Sequence, residues 1–492
     1  MLEQKLEDYI DLLYIRQNTG CEDEQKYHFS KKDYYEMLKP VLDIIKDNKD
    51  LSISELRSKL KEKSKIEEKI KNFVEKRGMS SGLILSGATS NYEETYYIGN
   101  MEEVTIENGF IIPSHVEMRE DAIFDLASIS KLFTGLSILK LVEEGIINLD
   151  DEVVLYEPKF KNLKGIKIID LLGFNVPLRT NKRIDNATNS KEAEEILFDI
   201  HVDKDGVNKD NHIPYTDMGA MVLRYVIEKA TSLSAKEFIE KYLISPMGLK
   251  NTFINVPQKE YERIVSTNLD TIYKENGTVQ INITNTKGNV YDPKAKAMGH
   301  KDGVYSGHAG MFSTKDDMLK IASLLINGEY ITEKLVREMA KNRSGRILSI
   351  DENNRKKYSQ HLGFMCYSKH PNQSGSEVYH ALSGNSFASA GWTGTQLTID
   401  PINNISLFLG GNRAHNRISI VHPSRRNEVK TDEFGKRTIL LPNGEEKIDA
   451  SRFAIERDQA IIHPMLRLLF QYKMLEDFLE VKENKKSKSY HI

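Results

Sequence analysis

The sequence predicts a mixed α/β (α+β) protein: an antiparallel sheet built from both ends of the chain and flanked by helices, with a mostly helical subdomain inserted between the two sets of strands. Three observations carry this. Short runs of strand composition, GLILSGA and TYYIG, begin at Gly82 and Thr95. From Asp150 to about Gly299 the texture is mostly helix and loop, including MGAMVLRYVIEKA and AKEFIEKYLI. Strand patterns return in WTGTQLTID and ISLFLGG, separated by the turn PINN.

The elements follow in order. Residues 1–78, dense in Lys and Glu, read as a helical extension. Within it Ser52 and Glu55 have capping-box spacing, and Gly78 sits where a helix C-cap belongs. The apolar stripe Ile53, Leu56, Leu60, Ile66, Ile70 and Phe73 breaks between Leu60 and Ile66, so it cannot sustain heptads. It predicts a helical layer packed on the main body rather than a coiled-coil arm, and homo-oligomer formation through these helices stays open. Residues 79–480 form the main domain, with the helical subdomain at about 150–300. An apolar helix follows Ser128 and stops at Gly145. Residues 340–385 read as a substrate-side insertion or an ordinary surface hairpin. Asn443-Gly444 lies between two alternating runs and predicts a hairpin. A last amphipathic helix, HPMLRLLFQYKMLEDFLEV, leads to a polar tail, residues 481–492, expected to be disordered.

Composition excludes several classes. The 492 residues carry 69 basic and 72 acidic side chains, a net charge of −3, and no long basic stripe suited to a phosphate backbone. Nucleic acid is not an expected partner. Cys21 and Cys366 are the two cysteines, far apart, which indicates neither a disulfide framework nor a zinc site. The 13 histidines show no HExxH or comparable ligand spacing, so no metal and no cofactor is expected. Glu3, Glu7, Asp8 and Asp11 interrupt the N-terminal apolar residues, and no stretch stays apolar for the ~18 residues of a membrane span. The expectation is a cytoplasmic protein without a membrane partner.

The chemistry is expected in DLASISKLFTGLSILK, where Ser128 precedes Lys131 by three residues inside an apolar helix-like stretch. Residues three apart share a helix face, so Lys131 can approach Ser128 but is poorly placed for Ser130. An amine desolvated by Ile129, Leu132 and Phe133 would have a lowered pKa and could take the serine proton. On spacing alone, a helix-start serine beside a snorkelling lysine is the commoner arrangement, and Ser58-x-x-Lys61 repeats the pattern in the charged N-terminal helix.

The wider context changes that balance. FDLASISKLFTGLSILKLVEEGIINLDDEV resembles the nucleophile helix of serine hydrolases related to class C β-lactamases and penicillin-binding proteins, the S12-type group. NHIPYTDMGAMVLRYVIEKA resembles that family's second motif, with Tyr215, Thr216 and Asp217 in the motif positions. VYDPKAKAMGHKDGVYSGHAGMFSTKDDMLKIASLL resembles a further family stretch, and FASAGWTGTQLTID its third-motif strand. The resemblance spans roughly residues 80–470. It implies a β-lactamase/transpeptidase-like fold and an acyl-enzyme on Ser128, with Lys131 and Tyr215 sharing the general-base work. It also implies an oxyanion hole from the backbone N–H groups of Ser128 and Trp392, without metal.

Two departures narrow the substrate. Where relatives carry Lys-Thr-Gly or His-x-Gly, this chain has Ser389-Ala390-Gly391, so a substrate carboxylate loses a charge-assisted partner. Arg413 could compensate, or could pair with a structural acid. The second motif ends in Asp217, which, if ionised, would raise the Lys131 pKa and shift base duty to Tyr215. IIDLLGFNVPLRT also stands where many relatives have His-Thr-Ser-Gly. The expected function is a serine hydrolase acting on an ester, amide or peptide, with β-lactamase activity weak or absent. The alternative is an inactive, penicillin-binding-like ligand-binding protein.

Overall fold

The computed structural model describes residues 2–19, 29–203, 215–284, 287–343, 347–350, 356–358, 362–369 and 377–487. At its centre stands a seven-stranded sheet in the order Tyr367–Ser368, Phe387–Gly391, Thr395–Asp400, Ile405–Gly411, Gly82–Ala88, Glu93–Glu107, Phe110–Glu117. Every neighbouring pair is antiparallel. Gly82–Ala88 lies between the last strand of the C-terminal set and the second of the N-terminal set, in the register Leu83↔Gly411 and Leu85↔Leu409. The sheet is therefore closed by chain ends more than 300 residues apart, as the early and late strand patterns predict.

Alternation along the strands separates two cores. Ile84 and Phe408 face a core containing the helix Ser130–Glu143 and the inserted helices, among them Met218–Thr231. Leu83, Leu85, Leu407 and Leu409 face the other, made with the N-terminal helices and the C-terminal helix His463–Ser487. Ser130–Glu143 is apolar nearly all round because it is buried on almost every side.

The N-terminal extension folds as helices Leu2–Arg16, Lys31–Asp47, Ile53–Ser64 and Ile66–Lys71. Ser52 and Glu55 form the capping box, and Lys65 takes a left-handed conformation (φ +52°) where the stripe breaks. Leu56, Leu60, Ile66, Ile70 and Phe73 are buried in the second core, so this apolar face is covered within the chain.

The structure adds two details. The helix-and-loop segment contains a hairpin, Asp270–Tyr273 with Val279–Asn282, and Ile418–Val421 adds to it in parallel. Its turn carries Asn276-Gly277, with Gly277 at φ +79°. The C-terminal helix continues to Ser487, past residue 481 where the tail was expected. Lys, Glu and Asn there are compatible with a helix whose apolar side is already anchored upstream. Residues 488–492 lie outside the described residues.

Other elements agree. Arg437–Leu440 and Glu446–Ile448 form the hairpin around Asn443-Gly444. In the expected insertion, Ile347–Ile350 pairs antiparallel with Lys356–Tyr358, while residues 344–346, 351–355, 359–361 and 370–376 lie outside the described residues. Cys366 is free and buried, and Cys21 falls outside the described residues. Among the described residues no helix is long and apolar enough to cross a membrane.

Candidate active site

The short strand Phe124–Asp125 enters a 3₁₀ turn, Ala127–Ile129, which runs directly into the helix Ser130–Glu143. Ser128 sits in that turn. Ala127 has φ +45°, a left-handed conformation that costs an L-residue ~1–2 kcal/mol. Asp125 holds it: one carboxylate oxygen accepts from Ala127 N at 2.9 Å and the other from Tyr291 N at 2.6 Å. Burial pushes the Asp125 carboxyl up to about 6 against the pull of these two N–H groups. Ser130 is structural. Its hydroxyl accepts from Met311 N at 2.9 Å and its carbonyl from the Tyr305 hydroxyl at 2.5 Å.

Lys131, the second residue of that helix, is buried and reaches back to Ser128, Nζ to Oγ 3.0 Å. The same ammonium lies 2.8 Å from Asp217 and 3.4 Å from the carbonyl of His308. Burial disfavours its charge, but the Asp217 carboxylate and the Tyr215 hydroxyl outweigh burial, and the net direction is upward. Both opposing effects expected from the sequence act here: the flanking Ile129, Leu132 and Phe133 desolvate the amine, and the ionised Asp217 of the inserted subdomain outweighs them. Asp217 is held well below the usual carboxylate range, because Lys131, His308 and Lys294 together overcome its own burial.

Tyr215 precedes the helix Met218–Thr231 and stays partly open to solvent. Its ring centre is 5.0 Å from Lys131 Nζ. It stacks on Phe174 (centroids 5.1 Å apart, planes 22°) and on Tyr367 (6.2 Å, 7°). Phe174, itself at φ +55°, belongs to the segment GFNVP. Ser128, Lys131, Tyr215 and Asp217 thus come together from two subdomains.

The third-motif strand completes the wall. Ser389 is buried in Phe387–Gly391. A side chain at Gly391 would collide with the Leu126 carbonyl and the Thr395 hydroxyl, so glycine permits the strand to approach the turn that carries Ser128. Thr393 Oγ1 donates to Asp125 O at 2.7 Å and Thr395 Oγ1 to Leu126 O at 3.2 Å, which tie the Trp392 turn to the backbone just before Ser128. Trp392 is partly exposed; its indole N–H donates to the Tyr291 hydroxyl at 3.2 Å. Arg413 is engaged beneath it. Its guanidinium stacks on the indole at 4.4 Å and donates to Ser419 O at 2.9 Å, with Asp270 nearby.

Three residues of this site were not read from the sequence as functional: Asp292, Lys294 and His308. Lys294 lies 2.9 Å from Asp217, and His308 Nε2 lies 2.9 Å from Asp292. Asp292 also caps a helix beginning at Pro293, accepting from Ala295 N at 2.8 Å, so the D-P-x-A pattern was a readable cap signal. Donor atoms of Asp217, Asp292 and His308 lie within 4.8 Å of one another, a set that could hold a cation. Two ammonium groups already face Asp217, and their charge opposes a metal ion there.

Comparison with known proteins agrees with this geometry. The Beta-lactamase family model matches residues 95–429. A protein of Salmonella gallinarum described as "Putative D-alanyl-D-alanine carboxypeptidase" is 30% identical over 320 residues, 61% of this chain and 71% of the relative. D-amino acid amidase from Ochrobactrum anthropi SV3 superposes with a TM-score of 0.52 at 16% identity, over 83% of this chain and 98% of its own. EstCE1, described as a hydrolase with promiscuous acyltransferase activity, does so with 0.53 at 15% identity, over 76% and 97%. The chain belongs to the Beta-lactamase family of serine-hydrolase folds, with the β-lactamase/transpeptidase-like architecture that its motifs imply.

Proposed function

We propose that the chain is a metal-independent serine hydrolase that forms an acyl-enzyme on Ser128 and cleaves a small ester, amide or peptide bond. The observation that carries the proposal is the 3.0 Å contact between Lys131 Nζ and Ser128 Oγ in a buried site where Asp217 keeps the lysine charged. Ser128 Oγ attacks the substrate carbonyl carbon. Its proton passes to Tyr215 Oη, which hands its own proton to the departing alcohol or amine. The Lys131 ammonium stabilises the charge developing on Ser128 Oγ, and the backbone N–H groups of Ser128 and Trp392 receive the oxyanion. Water then attacks the acyl carbon by the same relay run in reverse.

The substrate class follows from Ser389. A neutral hydroxyl in the third motif gives a substrate carboxylate no cation, a deficit of ~1.5–3 kcal/mol. Neutral esters and amino-acid amides are favoured over β-lactams and over peptides with a free C-terminus. The D-amino acid amidase and EstCE1 likenesses are consistent with that class. A cytoplasmic location remains part of the proposal.

Labelling with a fluorophosphonate probe, alongside a panel of p-nitrophenyl esters and amino-acid amides, tests this. Wild type labels and turns over, Ser128→Ala does neither, and Tyr215→Phe is strongly slowed. Equal labelling of wild type and Ser128→Ala would discard Ser128 as nucleophile. Tight binding without turnover across the panel favours the ligand-binding alternative, for which the altered Ser389 motif is the supporting observation.

A further inference from the structure

Across the sheet from Ser128, the N-terminal helices and the C-terminal helix enclose a cavity of about 560 Å³, within the roughly 300–1,000 Å³ typical of small-molecule sites. It lies beside the left-handed break at Lys65, between the helices Ile53–Ser64 and Ile66–Lys71. Leu60 and Leu468 contribute apolar wall; Lys63, Lys69 and Arg467 stand around it with the imidazole of His463. Among the described residues no carboxylate lines it. Among the described residues, none of these three cations forms an ion pair with a carboxylate. Lys69 Nζ uses one donor on Ser64 O at 2.9 Å, and Arg467 uses Nε on the Tyr379 hydroxyl at 2.8 Å.

We propose that this cavity binds a small amphiphilic anion, a single carboxylate or phosphate head on an apolar body, at a site separate from the Ser128 cleft. The argument is uncompensated charge over an apolar wall. Burial and the nearby Arg467 push the Lys69 ammonium down, and burial with His380 and Arg467 pushes His463 down to about 4. Like charges therefore face one another across a concavity, and an anion between them relieves the repulsion. The imidazole stays neutral and offers a hydrogen bond rather than a competing charge. The apolar wall adds ~25 cal/mol for each Å² of ligand surface it covers, which selects a head with a tail over a bare anion.

Calorimetric titration of the full chain with decanoate and with decyl phosphate, below their micelle concentrations, is the test. Decyltrimethylammonium, decanol and inorganic phosphate serve as comparison ligands. The expected result is saturable one-to-one binding of at least one decyl anion, with the stronger of the two identifying the head group. Lys63→Glu with Arg467→Glu weakens it by about tenfold per cation, while ester hydrolysis at Ser128 is unchanged. Both side chains are exposed, so the variants should fold. Lys161→Glu with Lys164→Glu, the same charge change on the other subdomain, should leave binding intact. The proposal is overturned by absence of saturable binding, by equal binding of the cationic or neutral chains, by inorganic phosphate binding as tightly as decyl phosphate, or by charge reversal at Lys63 and Arg467 having no effect. Binding of decanoate in the catalytic cleft would give that last result.

Discussion

The ammonium of Lys131 lies 2.8 Å from a carboxylate oxygen of Asp217, and both groups are withdrawn from bulk water. The pair arises where a helix of the sheet subdomain meets the start of the helix Met218–Thr231 from the inserted subdomain. It favours the charged form of the lysine beside Ser128 over a free amine. Four predictions follow from this arrangement and its surroundings.

Asp217→Asn removes the carboxylate that raises Lys131 and leaves Lys294 as a neighbouring cation. The Lys131 pKa then falls by the ~1–3 units that an adjacent opposite charge supplies. In wild type a charged Lys131 persists through the working pH range, so kcat/KM shows no alkaline limb from it. In the variant an alkaline limb moves down into the measurable range between pH 8 and 11. A pH profile with a neutral ester checks this, and an unmoved alkaline limb would contradict it.

Asp125 carries a raised pKa of about 6, so its ionised form is less favourable folded than unfolded. In the unfolded chain the group titrates near 3.9. Between about pH 4 and 6 the folded state binds the proton and the unfolded state has lost it, so this group's contribution to stability declines as pH rises through that window. Asp125→Asn cannot ionise. Relative to wild type it should gain up to ~3 kcal/mol between pH 4 and 6 and stay level above that. Thermal melts of both proteins across pH 4 to 8 provide the comparison. Activity should fall regardless of pH, because an amide offers only one acceptor oxygen for the N–H groups of Ala127 and Tyr291.

Ser389→Lys restores a cation to the third motif. Acylation by benzylpenicillin should rise by about ten- to a hundredfold, matching the ~1.5–3 kcal/mol of a charge-assisted contact. Hydrolysis of neutral p-nitrophenyl esters should change little by comparison. Stopped-flow acylation rates for the two substrate types separate these outcomes, and a parallel change in both would show that Ser389 does not face the acyl pocket's anion position.

Phe174→Ala removes one of two rings stacked on Tyr215. An aromatic pair contributes ~0.5–1.5 kcal/mol beyond its buried area, so kcat should drop by about two- to tenfold through poorer placement of the phenol. Phe174→Tyr should restore most of it. Loss of folding stability without the rescue would indicate packing alone.

Much of this molecule is legible locally. The capping box at Ser52 and Glu55, the stripe break that becomes the Lys65 bend, the strands around Gly82 and Ile405, and the Asn443-Gly444 hairpin all depend on neighbours a few residues away. The Asp270–Asn282 hairpin carries an equally local signal in Asn276-Gly277, one not singled out among the helical patterns on either side of it. Ser128 beside Lys131 follows from helical spacing alone.

The charge state of that lysine belongs to tertiary structure. Its direction depends on Asp217 and Tyr215, which come from the inserted subdomain and together outweigh the desolvation that the local sequence displays, while Lys294 and His308 act on Asp217 and hold it ionised. The same holds for the Phe174 and Tyr367 rings around Tyr215 and for the Thr393 and Thr395 ties that bring Trp392 to the nucleophile turn. Hydrogen-bonding and apolar periodicity act over one or two turns of chain and leave a pattern in the sequence. Electrostatic fields in a buried site sum over every group folded against it, and only the packed structure decides which groups those are.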